Sequence, residues 1–118
     1  MIYGIGIDIT NIDRFKQLKN QDLFIRRVLT DSEITTLNSK QKQRFFEFLA
    51  GHFSAKEAYS KAFGTGIGSK LQFQDLTIDY TDLGQPFFIK HPFHGKAHVS
   101  ISHSNHHVIS QVILEEDK

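Results

Sequence analysis

The sequence contains no cysteine and only two prolines in 118 residues. Without cysteine there can be no disulfide and no thiolate metal site, and the cytoplasm is the expected compartment. Also missing is any apolar run long enough to span a bilayer. The start, MIYGIGIDIT, lacks the basic, apolar and small-residue zones of a signal peptide. No sign of charge dominates: fourteen Lys and Arg oppose thirteen Asp and Glu, for a formal net charge of +1. Such a balance argues against nonspecific nucleic-acid binding. Repeats and low-complexity linkers are absent as well, so one compact domain over 1–118 is expected.

What is present is an aromatic core. Hydrophobic residues make up 39% of the chain, with eleven Phe among them, which argues against wholesale disorder. IYGIGIDI (2–9) alternates and reads as a strand. Ile5, Ile7 and Ile9 fall on one face, and Gly4, Gly6 and Asp8 on the other. Glycines confined to one face let another backbone come close. Thr10 is placed to cap a short helix from about Asn11, and Asp31 or Ser32 to cap another before EITTL. Between them, DLFIRRVL is apolar enough for a helical turn or two.

A long helix is predicted from about Lys40 to Phe63, capped by Ser39 and closed by Gly64. Phe46, Leu49, Ala50 and Phe53 sit at helical spacing within it. Gly51 inside such a helix costs about 1 kcal/mol relative to Ala and signals a tight packing contact. Strands follow at FQDLTIDY, PFFIKH, AHVSISH and HVISQVIL, the last two joined by SNH. This order predicts an α+β domain, with the long helix packed on a small antiparallel sheet.

The stretch FSAKEAYSKAFGTGIG holds the residues best suited to chemistry. Glu57 continues the core-facing row of Phe46, Ala50 and Phe53, where a carboxylate is costly unless paired or bound to a metal. Lys61, four residues on, offers an ordinary surface pair worth only a few tenths of a kcal/mol. Asp8 offers an alternative. It ends an apolar strand on the glycine-bearing face, so a helix packed there would bring it towards Glu57. Two carboxylates, completed by waters and phosphate oxygens, suit Mg²⁺. Taken alone, Asp8 is equally a cap or turn acceptor before TNID.

Other features carry less. GTGIGSK follows its helix, so it is neither a P-loop nor a Rossmann fingerprint. Its N–H groups form either an anion-binding nest beside Lys61 and Lys70 or a plain helix-to-strand connection. Six of the seven histidines fall in HPFHGKAHVSISHSNHH, without the spacing of a zinc site. No nucleophile elbow accompanies His103 and its neighbours Ser102 and Ser104, so a Ser–His hydrolase is the poorer reading. His103 shares a strand face with Val99 and Ile101, as a phosphate contact or as an ordinary core or edge histidine. From Arg14 to Arg44, eight basic residues accompany three acidic ones. That face suits an acidic partner or is simply solvated.

Together, GIGIDITNIDR, FLAGHFSAKEAYSKAFGTGIG and HVSISHS, with a GQP turn between the last two, resemble the holo-acyl-carrier-protein synthase family. These are the small, single-domain 4′-phosphopantetheinyl transferases, and the resemblance spans essentially the whole chain. It implies their fold. It also implies transfer of the phosphopantetheine arm of coenzyme A to a serine of apo acyl carrier protein, in support of fatty acid biosynthesis, with release of adenosine 3′,5′-bisphosphate. Asp8 and Glu57 match the family's Mg²⁺ ligands. With Lys61, near the pyrophosphate, they are the implied catalytic set, and Glu57 is the expected base ahead of His103.

Coenzyme A contacts are implied at Lys61, Gly64, Thr65, Gly66, Pro86, His103 and Ser104, and at Arg44 and His52. Arg14 and Arg27 are implied in docking the acidic carrier protein. A homotrimer with active sites between subunits is implied too, with neither nucleic acid nor membrane as a partner. Two positions depart from the family pattern. His52 stands where Arg is usual, and Gln85 where the turn usually reads GKP. Both remove positive charge near a polyanionic ligand and predict weaker coenzyme A binding. A non-catalytic module that keeps the fold and docks carrier protein is the competing reading, against which the intact Asp8, Glu57 and Lys61 argue.

Overall fold

The computed structural model describes residues 1–117. The alternating N-terminal segment forms strand β1, Ile2–Asn11, and its glycines decide what lies on it. A Cβ on Gly4 would overlap the carbonyl oxygen of Ala62, and one on Gly6 that of Ala58. Only glycine lets a helix descend so close to the strand. That helix, Gln43–Phe63, ends as expected at Gly64, which takes the left-handed conformation with φ of 100°.

Its start is later than the sequence suggests. Lys42, with φ of 56°, is the N-cap, so neither Lys40 nor a Ser39 cap belongs to this helix. Ser39 instead closes the preceding helix, its hydroxyl donating to the Thr36 carbonyl at 2.6 Å. Gly51 is not in tight contact either: an added Cβ would meet Ile101 Cγ2 at 3.8 Å, an ordinary van der Waals distance.

Between β1 and the long helix come a 3-10 helix at Ile12–Gln17, helix α1 at Gln21–Val28 and helix α2 at Asp31–Leu37. DLFIRRVL is therefore helical, and the long helix is α3. Both early caps lie beside the residues expected. Asn11 accepts from the Asp13 N–H at 2.8 Å, because the Thr10 hydroxyl is turned to Asp8. Thr30 takes the cap of α2 from Asp31 and Ser32, its N–H donating to Glu33 Oε1 at 2.8 Å.

Beyond α3, a 3-10 turn at Phe73–Asp75 occupies the front of FQDLTIDY and leaves strand β2 at Thr77–Tyr80. Strands β3 (Pro86–Lys90), β4 (Lys96–His103) and β5 (His107–Glu115) complete the chain. The antiparallel sheet is small, as expected: β1-β5-β4 form three strands, and β2 and β3 make a separate hairpin beside them. The α+β class stands. Helix α3 contributes to two cores. One gathers Tyr59, Leu71, Phe88 and Val112; the other gathers Phe15, Val28, Leu37 and Leu49. The outward face of β1 stays open, with Ile5, Ile7 and Ile9 at 56%, 59% and 66% exposure. Among the described residues, no helix is long and apolar enough to cross a membrane.

Candidate active site

Strand β1 and helix α3 bring three of the expected residues together. Lys61 Nζ donates to the Ile7 carbonyl at 2.9 Å and lies 3.4 Å from Asp8 Oδ1. The Thr10 hydroxyl donates to Asp8 Oδ2 at 2.6 Å, so each carboxylate oxygen of Asp8 has a partner. Thr10 is a site residue that the capping argument overlooked. The signal for it is its i+2 spacing from Asp8, which puts both on one strand face.

Glu57 lies one helical turn before Lys61. Its carboxyl is pushed above the usual range by burial first and then by the charge of Asp8, against the pull of Lys61 and Arg14. Asp8 is thus close enough for its charge to act on Glu57, while Lys61 pairs with the strand. Two acids held near each other form a place that favours a cation. Among the described residues, no group of three or more His, Asp or Glu is assembled to hold one. A cation here would take two carboxylates and complete its shell with water and substrate oxygens, a habit that fits Mg²⁺.

Basic residues flank this place. The Arg14 guanidinium lies 5.1 Å from the Phe15 ring centroid and 5.2 Å from that of Phe53, favourable cation–π positions. A cavity of about 250 Å³ beside Glu57 is lined by Phe24, Arg27, Phe53, Ile67 and Phe73. Arg14 and Arg27 thus border Glu57.

The glycine turn behaves differently from an anion nest. The N–H groups of Gly64 and Gly66 donate to the Ser60 carbonyl at 3.0 and 3.2 Å, and that of Gly68 to the Leu71 carbonyl at 2.8 Å. The Thr65 hydroxyl donates to the Gly66 carbonyl at 2.9 Å. These donors are spent within the turn, which overturns the nest reading. Space remains: a Cβ on Gly64 or Gly66 would find nothing within 4 Å, so a ligand can pass close to the backbone.

The other expected coenzyme A contacts gather elsewhere. A cleft of about 570 Å³ is lined by Lys40, Arg44, Phe48, Tyr80, Pro86 and His103, among others. His103 Nδ1 lies 3.9 Å from Glu47 Oε2. Ser104 shapes the turn after it, its Oγ accepting from the N–H groups of His106 and His107 at 3.4 and 3.3 Å. Arg44 and Lys61 occupy opposite ends of α3, about 25 Å apart at the helical rise. The two groups of expected contacts therefore lie well apart along the helix.

His52 does not reach the cleft, contrary to expectation. It is fully buried, with Nδ1 2.9 Å from Glu33 Oε2 and Nε2 2.9 Å from the Tyr80 hydroxyl. Glu33 draws it inward, and Lys56 Nζ holds the same carboxylate at 2.7 Å. A sequence signal for Glu33 exists in the Thr30-to-Glu33 capping-box spacing. Nothing comparable announces its union with His52 and Lys56.

Residues 4–113 match the 4′-phosphopantetheinyl transferase superfamily. The holo-[acyl-carrier-protein] synthase of Limosilactobacillus reuteri is 66% identical over 117 residues, covering 99% of this chain and 100% of its own. That of Pediococcus pentosaceus is 64% identical over 117 residues, covering 99% of each. A holo-(acyl-carrier-protein) synthase from Bacillus anthracis, solved in complex with CoA (3′,5′-ADP), superposes with a TM-score of 0.93 at 43% identity over 99% of both chains. With the fold shared and the identity sustained from end to end, the chain belongs to the 4′-phosphopantetheinyl transferase superfamily, and within it to the holo-[acyl-carrier-protein] synthases.

Proposed function

We propose that this protein transfers the 4′-phosphopantetheine arm of coenzyme A to a serine of apo acyl carrier protein, in support of fatty acid biosynthesis. The products are holo carrier protein and adenosine 3′,5′-bisphosphate, and the whole chain, 1–118, acts as one transferase domain. The reading is carried by the meeting of Asp8, Glu57 and Lys61 where the glycines of β1 admit α3, in a chain of this family.

Attack by a neutral hydroxyl on a pyrophosphate is opposed by the negative charge of the phosphates, so catalysis is mainly positioning and charge neutralisation. Asp8 and Glu57 would hold Mg²⁺, which when bound supplies positive charge to the phosphoryl oxygens. Lys61 stabilises the leaving phosphate. Thr10 and Lys61 together fix the orientation of Asp8. Glu57 takes the serine proton as the new oxygen–phosphorus bond forms and the bond to the bisphosphate breaks. Arg14 and Arg27 border Glu57 and receive the acidic carrier, so that its serine arrives beside the base.

Coenzyme A would use both regions. Lys61 and the Gly64–Thr65–Gly66 turn face the pyrophosphate. The cationic rim of Lys40 and Arg44, with His103 beside it and above the wall of Phe48, Tyr80 and Pro86, suits the phosphorylated nucleotide end. Their separation along α3 favours a reading in which the two regions of one site come from different copies of the chain. The exposed Ile5, Ile7 and Ile9 offer apolar surface for those copies to bury. The assembly is a homotrimer with active sites between subunits, and the cysteine-free composition fits a cytoplasmic setting.

The test is to incubate the protein with coenzyme A, Mg²⁺ and apo acyl carrier protein, then weigh the carrier by mass spectrometry. A gain of one phosphopantetheine is expected, lost with EDTA and in the Asp8→Ala and Glu57→Ala variants. No gain on several apo carriers with folded protein would overturn the enzyme reading and leave the binding module.

A further inference from the structure

The nucleotide cleft rests on a buried residue outside it. His52 lies on α3 one turn beyond Phe48, and its ring stacks on that of Phe48 with centroids 4.0 Å apart and planes at 26°. Its Nε2 lies 2.9 Å from the hydroxyl of Tyr80, at the end of β2. Phe48 and Tyr80 both line the cleft, yet they come from separate elements, and the rings stand 6.4 Å apart. His52 touches both.

The direction of these bonds follows from the surrounding charges. Glu33 stays ionised, bound by Lys56 Nζ at 2.7 Å and by the Ile78 N–H at 2.8 Å, and so can only accept from His52 Nδ1. Burial outweighs the pull of Glu33 and holds the imidazole below its usual pKa, so at neutral pH it carries one proton, on Nδ1. Nε2 is then a bare acceptor, and the Tyr80 O–H donates to it. Burial, Glu33 and Asp79 raise that phenol to about 12, so it keeps its proton. Glu33, His52 and Tyr80 form a chain of single, directed hydrogen bonds, which fixes a side chain more firmly than a symmetric contact.

We infer that His52 is a positioning residue for coenzyme A, holding Tyr80 by its hydroxyl and Phe48 by stacking so that the aromatic wall keeps the width that takes a nucleotide. The inference rests on the coenzyme A reading of the cleft and deepens it. It also gives a role to an imidazole that cannot supply the charge of an arginine: the residue acts on the wall, and Lys40 and Arg44 supply the charge at the rim.

Two substitutions separate this role from general stability. Tyr80→Phe keeps the ring and removes only its anchor. His52→Asn keeps a donor near the Nδ1 position but cannot reach Tyr80. Titration calorimetry would measure the affinity for adenosine 3′,5′-bisphosphate, which needs no carrier protein, and steady-state kinetics would give KM and kcat for coenzyme A.

Each variant is expected to weaken bisphosphate binding and raise KM for coenzyme A by about three- to tenfold, the worth of one hydrogen bond. The change in kcat should be far smaller. The double variant should be no worse than the more affected single one, because both remove the same link. Multiplicative effects, or a Tyr80→Phe protein that binds the bisphosphate like the wild type, would overturn the inference. If His52→Asn fails to fold, Tyr80→Phe alone decides the matter. Wild-type protein that binds neither bisphosphate nor coenzyme A would instead overturn the coenzyme A reading, and this inference with it.

Discussion

Gly6 of β1 and Ala58 of α3 approach so closely that a Cβ on the glycine would overlap the alanine's carbonyl oxygen. The neighbouring atom belongs to helix backbone and cannot swing aside. Gly6→Ala is therefore expected to destabilise the fold by about 3 kcal/mol, the upper part of the range for overpacking. It should also lift α3 away from Asp8, so transfer activity falls even below the melting temperature. Thermal melts and single-turnover assays on the same preparation check both effects.

The 2.6 Å bond from Thr10 to Asp8 makes a milder prediction. Thr10→Val keeps the side-chain shape and frees one carboxylate oxygen. Hydrogen bonds to charged groups carry more than neutral ones, and kcat should fall about tenfold with little change in KM for coenzyme A. Asp8→Asn should lose far more, because it removes the charge itself. Equal losses in the two variants would contradict an orienting role for Thr10.

Glu33 sets a pH dependence. Burial alone would raise its pKa, but the hydrogen bond and charge of His52 and those of Lys56 outweigh it and hold it at about 2, against an ordinary 4.5. The folded value is the lower one. Ionised Glu33 therefore contributes stability above pH 4.5 that is lost as pH falls from there towards 2. Burial also outweighs pairing for Lys56, whose pKa is lowered, so the pair specifies geometry more than it adds net stability. Glu33→Gln should cost roughly 3 kcal/mol at pH 7, since it leaves Lys56 buried without its partner. The gap from wild type should narrow in acid, and urea midpoints between pH 7 and pH 2.5 would show it.

Arg14 and Arg27 border Glu57, and the proposed function brings the carrier protein to them. Reversing either charge, as in Arg27→Glu, should raise KM for the carrier about tenfold at low salt and less at high salt, because exposed charges are screened. The effect on kcat should be smaller. A KM shift independent of ionic strength would point away from electrostatic docking.

The distance between Arg44 and Lys61 along α3 predicts complementation. Asp8→Ala and Arg44→Ala chains, each deficient alone, should regain part of the activity when unfolded together and refolded as a mixture. Some mixed assemblies then contain a site with both intact halves. No recovery, with mixed assemblies demonstrated by mass, would place the whole site within one chain.

Much of the site is legible along the chain because its parts lie on regular elements. Period two puts Asp8 beside Gly4 and Gly6, and period 3.6 puts Glu57 and Lys61 on neighbouring turns of one helix. The glycines then say which surface a helix can approach, so the meeting of the two acids follows from local geometry. The helix caps were readable only to within a residue, because side chains compete for them. Thr10 is taken by Asp8, and Thr30 by the capping box with Glu33.

Sequence alone thus determines the faces: the glycine stripe, the acid on it, the helix with Glu57 in its row and its Gly64 stop. These depend on steric rules acting over one or two turns. Tertiary structure alone decides which faces meet at long range. Glu33, His52 and Lys56 converge from α2 and α3, Tyr80 joins them from a hairpin that left the main sheet, and the cleft of Arg44, Tyr80 and Pro86 opens toward the N-terminal half of α3. The loops between elements and the packing of two cores set those distances, and a buried carboxylate turns inward only when its cationic partners are already in place.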